Sequence, residues 1–192
     1  IEYFEKSLEH RPGNARALYT IALCHISLRQ EGAALPVLQQ AAKADPKYPW
    51  PVKSLGDLHR NKGELATAAS YYEKAIGIDS KLVQAYQGLA QVRIASDDLE
   101  GAVKTLGQAV AIDPKFTEGF LLMGTCLSKL SRHGEAIDPL KKAVALDGGN
   151  AEARYRLAEA HLGAGNFRDA VNAGTAAVNA QRDFYAAQVI LA

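Results

Sequence analysis

Cysteine is nearly absent from this chain of 192 residues, and the two that occur, Cys24 and Cys126, are far apart and show no Cys-x-x-Cys spacing. A disulfide framework is thereby excluded, and cysteine usage does not fix the redox compartment. Long apolar runs are also missing. None approaches the roughly 18 residues that cross a bilayer, and the opening Ile1-Glu2-Tyr3-Phe4-Glu5 lacks the basic and apolar blocks of a signal peptide. Direct membrane insertion is therefore not expected. Charge of one sign is lacking as well: 22 Lys and Arg stand against 21 Asp and Glu, a net +1. That balance gives no electrostatic reason for binding nucleic acid or an acidic membrane surface, and it suits a protein or peptide partner. A Gly-rich phosphate loop, a zinc-protease motif and a nucleophile elbow are absent too, so no enzyme, cofactor or metal site is expected. The chain begins at Ile1 rather than Met, so a parent protein is expected to continue beyond both ends, with cytoplasm and periplasm both open.

What is present is a period. Alanine stands at 34, 68, 102, 136 and 170, and again seven residues later at 41, 75, 109, 143 and 177. Steps of 34 residues suit a helix pair, and a spacing of seven puts both series on one helix face, two turns apart. With alanine at its overall frequency here, ten such coincidences have a probability on the order of 10⁻⁸. Ala22, Gly56, Ala90, Gly124, Ala158 and Ala192 form a third, small-residue series, each after an apolar residue. Leu38, Tyr72, Leu106 and Leu140 form a fourth, with Phe4 in register, and Pro12, Pro46 and Pro114 a fifth.

This pattern of apolar-small, large, Ala, large, Ala and Pro resembles the tetratricopeptide repeat (TPR) family along the whole chain. The resemblance implies an all-α fold, a right-handed α-solenoid of antiparallel helix pairs in 34-residue repeats. Counting Ala15 as position 1 gives full repeats at 15–48, 49–82, 83–116, 117–150 and 151–184. A second-helix remnant at 1–14 precedes them, and the start of a further first helix at 185–192 follows. Each first helix is expected over positions 1–14 and each second over 18–31. Pro36 and Pro139 fall inside second helices, which should start late or kink. Gly174 replaces a large apolar residue, so the repeat at 151–184 is expected to be the loosest. The uncovered ends suggest end-to-end self-association.

The resemblance further implies that positions 2, 5, 6, 9, 12 and 13 of the first helices line a concave groove. From these, Tyr19, Leu23, Trp50, Lys53, Asp57, Gln84, Gln87, Gln91, Leu121, Thr125, Tyr155, Arg156 and Glu159 are the candidate partner-binding residues. The family's carboxylate-clamp variant does not match, because Lys53 is followed by Asp57, Gly88, Glu118 and Leu122. Its position-6 asparagine ladder does not match either, that series being Thr20, Ser54, Gly88, Leu122 and Arg156. Gln84, Gln87 and Gln91 remain as hydrogen-bonding groups for an extended peptide backbone, with Tyr19, Leu23, Leu121 and Tyr155 as apolar contacts. Trp50, within Pro49-Trp50-Pro51, is either an aromatic anchor or a packing residue of the inter-repeat turn. His25, His59 and His161 share position 11 and are expected to pack between helices rather than bind metal. The expected function is a non-catalytic scaffold that holds a peptide or helix of a partner protein. The alternative is a regulatory or substrate-recruiting arm of a multidomain enzyme.

Overall fold

The computed structural model describes residues 13–180, and all regular structure among them is helical. In chain order the helices are α1 (Ala15–Ser27), α2 (Glu31–Ala44), α3 (Pro49–Asn61), α4 (Leu65–Ile78), α5 (Val83–Ala95), α6 (Leu99–Ile112), α7 (Thr117–Lys129), α8 (His133–Leu146), α9 (Ala151–Gly163) and α10 (Phe167–Ala180). Odd-numbered helices have 13 residues and even-numbered ones 14. The chain divides into two compact units, Ile1–Ser96 and Asp97–Ala192. The remnants anticipated at 1–14 and 185–192 fall almost wholly outside the described residues.

Each first helix ends at position 13 and each second begins at 17, one residue earlier than the pattern predicts. The turn explains the difference. Its middle residue is left-handed every time: Arg29 (φ 57°), Gly63 (78°), Asp97 (60°), Ser131 (61°) and Gly165 (78°). The following N–H then reaches back to the carbonyl five residues earlier, Gln30 to His25 at 2.8 Å, Glu64 to His59 at 2.9 Å, Arg132 to Leu127 at 2.9 Å and Asn166 to His161 at 2.8 Å. This is the Schellman arrangement, which closes a helix early by satisfying its last carbonyls. The return turn uses aspartate. The Oδ1 atoms of Asp45, Asp79, Asp113 and Asp147 accept the N–H two residues on, at 2.9–3.1 Å. These recurring carboxylates are Asx-turn groups of the backbone.

Pro36 and Pro139 neither delay their helices nor shorten them, since α2 and α8 have the length and offset of proline-free α4 and α6. Each lies early enough that a single carbonyl, at Gly32 or Glu135, loses its acceptor role, and both of those residues are exposed to water.

Both alanine series are buried, Ala34, Ala41, Ala68, Ala75, Ala102, Ala109, Ala136, Ala143 and Ala177 completely. The large residue between them, Leu38, Tyr72, Leu106 or Leu140, is also fully buried. Tyr72 is the largest, and the chain makes room for it twice. A Cβ at Gly56 would lie 2.9 Å from its ring and one at Gly88 2.4 Å from it. Leu140 does the same to Gly124, at 2.4 Å. In α10 the buried face consists of Ala170, Gly174 and Ala177, while Phe167 and Val171 are exposed.

Two outcomes follow from these contacts. Gly88→Ala should cost about 1–3 kcal/mol in urea denaturation despite alanine's better helix propensity, and the cost should shrink in a Tyr72→Leu background. An equal cost in both backgrounds refutes the ring cradle. Ser131→Gly should raise stability by about 0.5–1 kcal/mol, because a left-handed serine is strained by more than the unfolded glycine gains in entropy. An unchanged or lower urea midpoint contradicts that account of the turn.

Candidate partner-binding surface

In the first unit, five of the predicted residues, Lys53, Asp57, Gln84, Gln87 and Gln91, line one cleft of about 190 Å³ together with Arg60 and Gly88. Its floor is a hydrogen-bond network. Lys53 Nζ donates to Asp57 Oδ2 at 2.8 Å, and Tyr72 Oη donates to Asp57 Oδ1 at 2.8 Å. Burial, and then the charge of Asp57, hold the Tyr72 hydroxyl well above the usual tyrosine range. It therefore stays a proton donor to Asp57. On the other side Arg60 Nη1 donates to Gln91 Oε1. That bond orients the amide, turning the Gln91 NH₂ away from the guanidinium.

Arg60 is the residue the sequence reading left out of the candidate set. Its signal was available: position 12 of α3 belongs to the same lining series, and Gln91 stands at position 9 of α5. Tyr19 reaches α3 instead of open solvent, with its hydroxyl 3.4 Å from Ser54 Oγ and its ring edge-on to Tyr48 at 5.6 Å. Leu23 is 38% exposed and borders a separate depression of about 430 Å³ with Thr20, Cys24, Ser27 and Leu28. Cys24 is half-buried, whereas Cys126 is buried. Trp50 packs against the cluster of Val52, Ala75, Leu82 and Ala85 and lines neither depression. Its placement is that of a packing residue, because Pro49 and Pro51 fix it in the first turn of α3.

In the second unit, Thr125, Arg156 and Glu159 line another cleft of about 190 Å³ with Ser128, Lys129 and His133. Arg156 bridges two carboxylates, Nε to Glu152 Oε1 at 2.6 Å and Nη1 to Glu159 Oε2 at 2.9 Å, and lies 5.3 Å from the centre of the Tyr155 ring. Tyr155 Oη donates to Glu159 Oε1 at 2.8 Å. Leu121 packs on the core formed by Leu127, Ala136, Leu140, Leu157 and Ala160.

A model of the tetratricopeptide repeat matches residues 1–55, 59–126 and 128–190. DnaJ homolog subfamily C member 7 of Mus musculus is 24% identical over 165 residues, 80% of this chain and 33% of that protein. Superkiller protein 3 of Saccharomyces cerevisiae is 25% identical over 93 residues, 48% of this chain and 6% of that protein. The chain thus spans a third or less of these relatives. Among solved structures, YrrB, a TPR protein described as having an unusual peptide-binding site, superposes with a TM-score of 0.83 at 22% identity, covering 97% of this chain and 96% of that one. MamA superposes with a TM-score of 0.79 at 20% identity, covering 88% and 92%. At these identities the likeness is one of fold.

The position-11 histidines differ by what faces them across the turn. His25 Nδ1 lies 2.8 Å from Gln30 Oε1, and His59 Nδ1 meets Glu64 Oε2 while its ring stacks on Tyr71 at 5.1 Å. No group of three or more metal-ligating side chains is assembled among the described residues. His161 is only 5% exposed, and its Nδ1 has no partner. Burial lowers its pKa below the ordinary histidine value. The imidazole is neutral in the fold, while the unfolded chain takes up a proton near pH 6.5. Stability should therefore fall as pH drops below about 6.5 and level off once the buried ring also protonates. Urea denaturation at pH 7.5 and 5.5 should show a smaller loss for His161→Phe than for the native chain. Equal losses rule out a buried neutral His161.

Proposed function

The chain belongs to the tetratricopeptide repeat family, and from that membership we propose that it is a non-catalytic scaffold, with repeat units at 15–48, 49–82, 83–116, 117–150 and 151–184, whose first unit holds an extended peptide of a partner protein. Proteins of this family generally mediate protein–protein interactions. Among the described residues no helix is long and apolar enough to cross a membrane. The observation that carries the reading is the polar cleft of the first unit, where Arg60 holds the Gln91 amide and Gln84 lines the same cleft.

Gln84 and Gln91 are seven residues apart on α5, a rise of about 10 Å along the helix. Three residues of extended chain cover about the same length, so the two amides match peptide groups three residues apart. An amide both donates and accepts, which is what a peptide backbone needs, and it does so whatever side chains the peptide carries. Lys53 and Asp57 pair with each other, so the charge left in the cleft is that of Arg60. Selectivity would then come from shape and from the Arg60 charge. A pull-down from lysate of the source cells, quantified by mass spectrometry, tests this. Gln84→Ala/Gln91→Ala removes two hydrogen-bonding groups worth about 1 kcal/mol each and should lower recovery of specific partners tenfold or more. Unchanged recovery sinks the proposed cleft.

A further inference from the structure

We propose that the peptide seated in the cleft of the first unit is a proline-rich stretch in the polyproline II conformation, held through its carbonyl oxygens. The inference rests on the reading of that cleft as a peptide site and adds the backbone conformation and the composition of the occupant.

Two helices that wall the cleft carry the same spacing. Lys53 and Arg60 are seven residues apart on α3, and Gln84 and Gln91 are seven apart on α5. Seven residues make about two turns, so the members of each pair share a helix face at a separation of about 10 Å. The pairs are also in step. Arg60 stands 31 residues before Gln91 and is hydrogen-bonded to it across the two helices, and Lys53 stands equally far before Gln84. The lining of the cleft therefore repeats once, with one rung at Lys53 and Gln84 and a second at Arg60 and Gln91.

What the rungs offer is donors. The acceptors nearby are already in use, since Gln91 Oε1 accepts from Arg60 and the two Asp57 oxygens accept from Lys53 and Tyr72. Among the described residues, Arg60 Nε, Arg60 Nη2 and the Gln84 amide have no hydrogen-bond partner. The Gln91 NH₂ is uncommitted, and Lys53 keeps two of its three N–H bonds. A ligand suited to this lining is rich in acceptors and poor in donors. A proline backbone meets that demand, because each proline keeps its carbonyl and lacks an N–H.

The spacing selects the conformation. In a β-strand successive residues face opposite ways, so groups on one face recur about every 7 Å and groups three residues apart point in opposite directions. An α-helix spends its carbonyls on its own hydrogen bonds. Polyproline II makes no internal hydrogen bonds, has three residues per turn and rises about 3.1 Å per residue, so every third carbonyl returns to one face after about 9 Å. That repeat agrees with the rungs to within about 1 Å, a difference that long side chains absorb. One row of carbonyls then faces α3 and a neighbouring row faces α5. Proline also fixes this conformation before binding, which lowers the entropy lost on docking.

The test is a titration of the complete 192-residue chain, ¹⁵N-labelled, at pH 7 and constant ionic strength. The probes are three blocked peptides: acetyl-nonaproline amide, acetyl-(Gly-Ser)₄ amide and acetyl-(Gly-Glu)₄ amide. Saturable shifts at the amides of Lys53, Arg60, Gln84 and Gln91 are expected with nonaproline, at an affinity at least tenfold above that of either other peptide. Gln84→Ala and Gln91→Ala should each weaken nonaproline binding about fivefold, as loss of one hydrogen bond does. Lys129→Gln in the second unit should leave it unchanged. The dispersion of each variant's spectrum reports whether it folds. Equal or tighter binding of the Gly-Ser or Gly-Glu peptide at the same amides overturns the polyproline assignment while leaving the cleft a peptide site. Saturation by none of the three overturns both readings. An unaltered nonaproline affinity in folded Gln84→Ala and Gln91→Ala places the proline peptide elsewhere and overturns the proposal as well.

Discussion

Everything in this fold depends on how closely the two helices of a pair can approach. A three-residue turn leaves no slack, so the facing seams must be narrow enough for one large side chain to seat between them. Small residues on the first helix provide the space, and alanines on the second, seven residues apart, bracket the side chain that fills it. Tyr72 shows the constraint most plainly. Its ring is wider than the leucines at equivalent positions, and Gly56 and Gly88 stand where a methyl group would collide with it. The same ring carries a hydroxyl that holds Asp57, so a packing requirement also places a functional carboxylate. Core and surface are coupled through one side chain.

The turn is the second consequence of the same closeness. A left-handed residue followed by a six-residue backward hydrogen bond ends the first helix abruptly and starts the second within three residues. Glycine fills that position in two of five turns, while arginine, aspartate and serine fill it in the others. Three turns therefore hold an L-residue in a strained conformation. At Arg29 and Ser131 the strain persists because the packed pair on either side determines the path of the chain.

Helix identity and pairing were legible in the sequence because a period of 34 residues, marked by buried alanines, is a direct imprint of stacking. The helix ends were misplaced by one residue because the turn's geometry is set by backbone hydrogen bonds, which leave no consistent residue type at its left-handed position. The prolines misled for a related reason. Pro36 and Pro139 lose only one carbonyl partner near a solvated first turn, and composition alone does not show that. Surface chemistry was legible only in part. The glutamines of α5 could be placed on a face from spacing, and they line a common cleft with Lys53 and Asp57. Spacing did not show that Arg60 would orient Gln91, nor that Trp50 would pack half-buried against the Val52 cluster. Those outcomes depend on side chains contributed by different helices.

The two clefts show how one scaffold supports different chemistry without altering its core. In the first, Lys53 pairs with Asp57 and Arg60 holds Gln91, so what it presents is chiefly the amide groups of α5. In the second, the acidic groups are gripped by Arg156 and Tyr155, while Ser128 Oγ and His133 Nδ1 are buried without a hydrogen-bond partner. The difference arises at positions that lie off the alanine seams. A leucine, an aspartate and a glutamine can thus share position 9 of successive first helices, at Leu23, Asp57 and Gln91. The alanine seams stay fixed because any added volume there is resisted by the packed neighbours. Recognition is free to diverge on the opposite faces of the same helices.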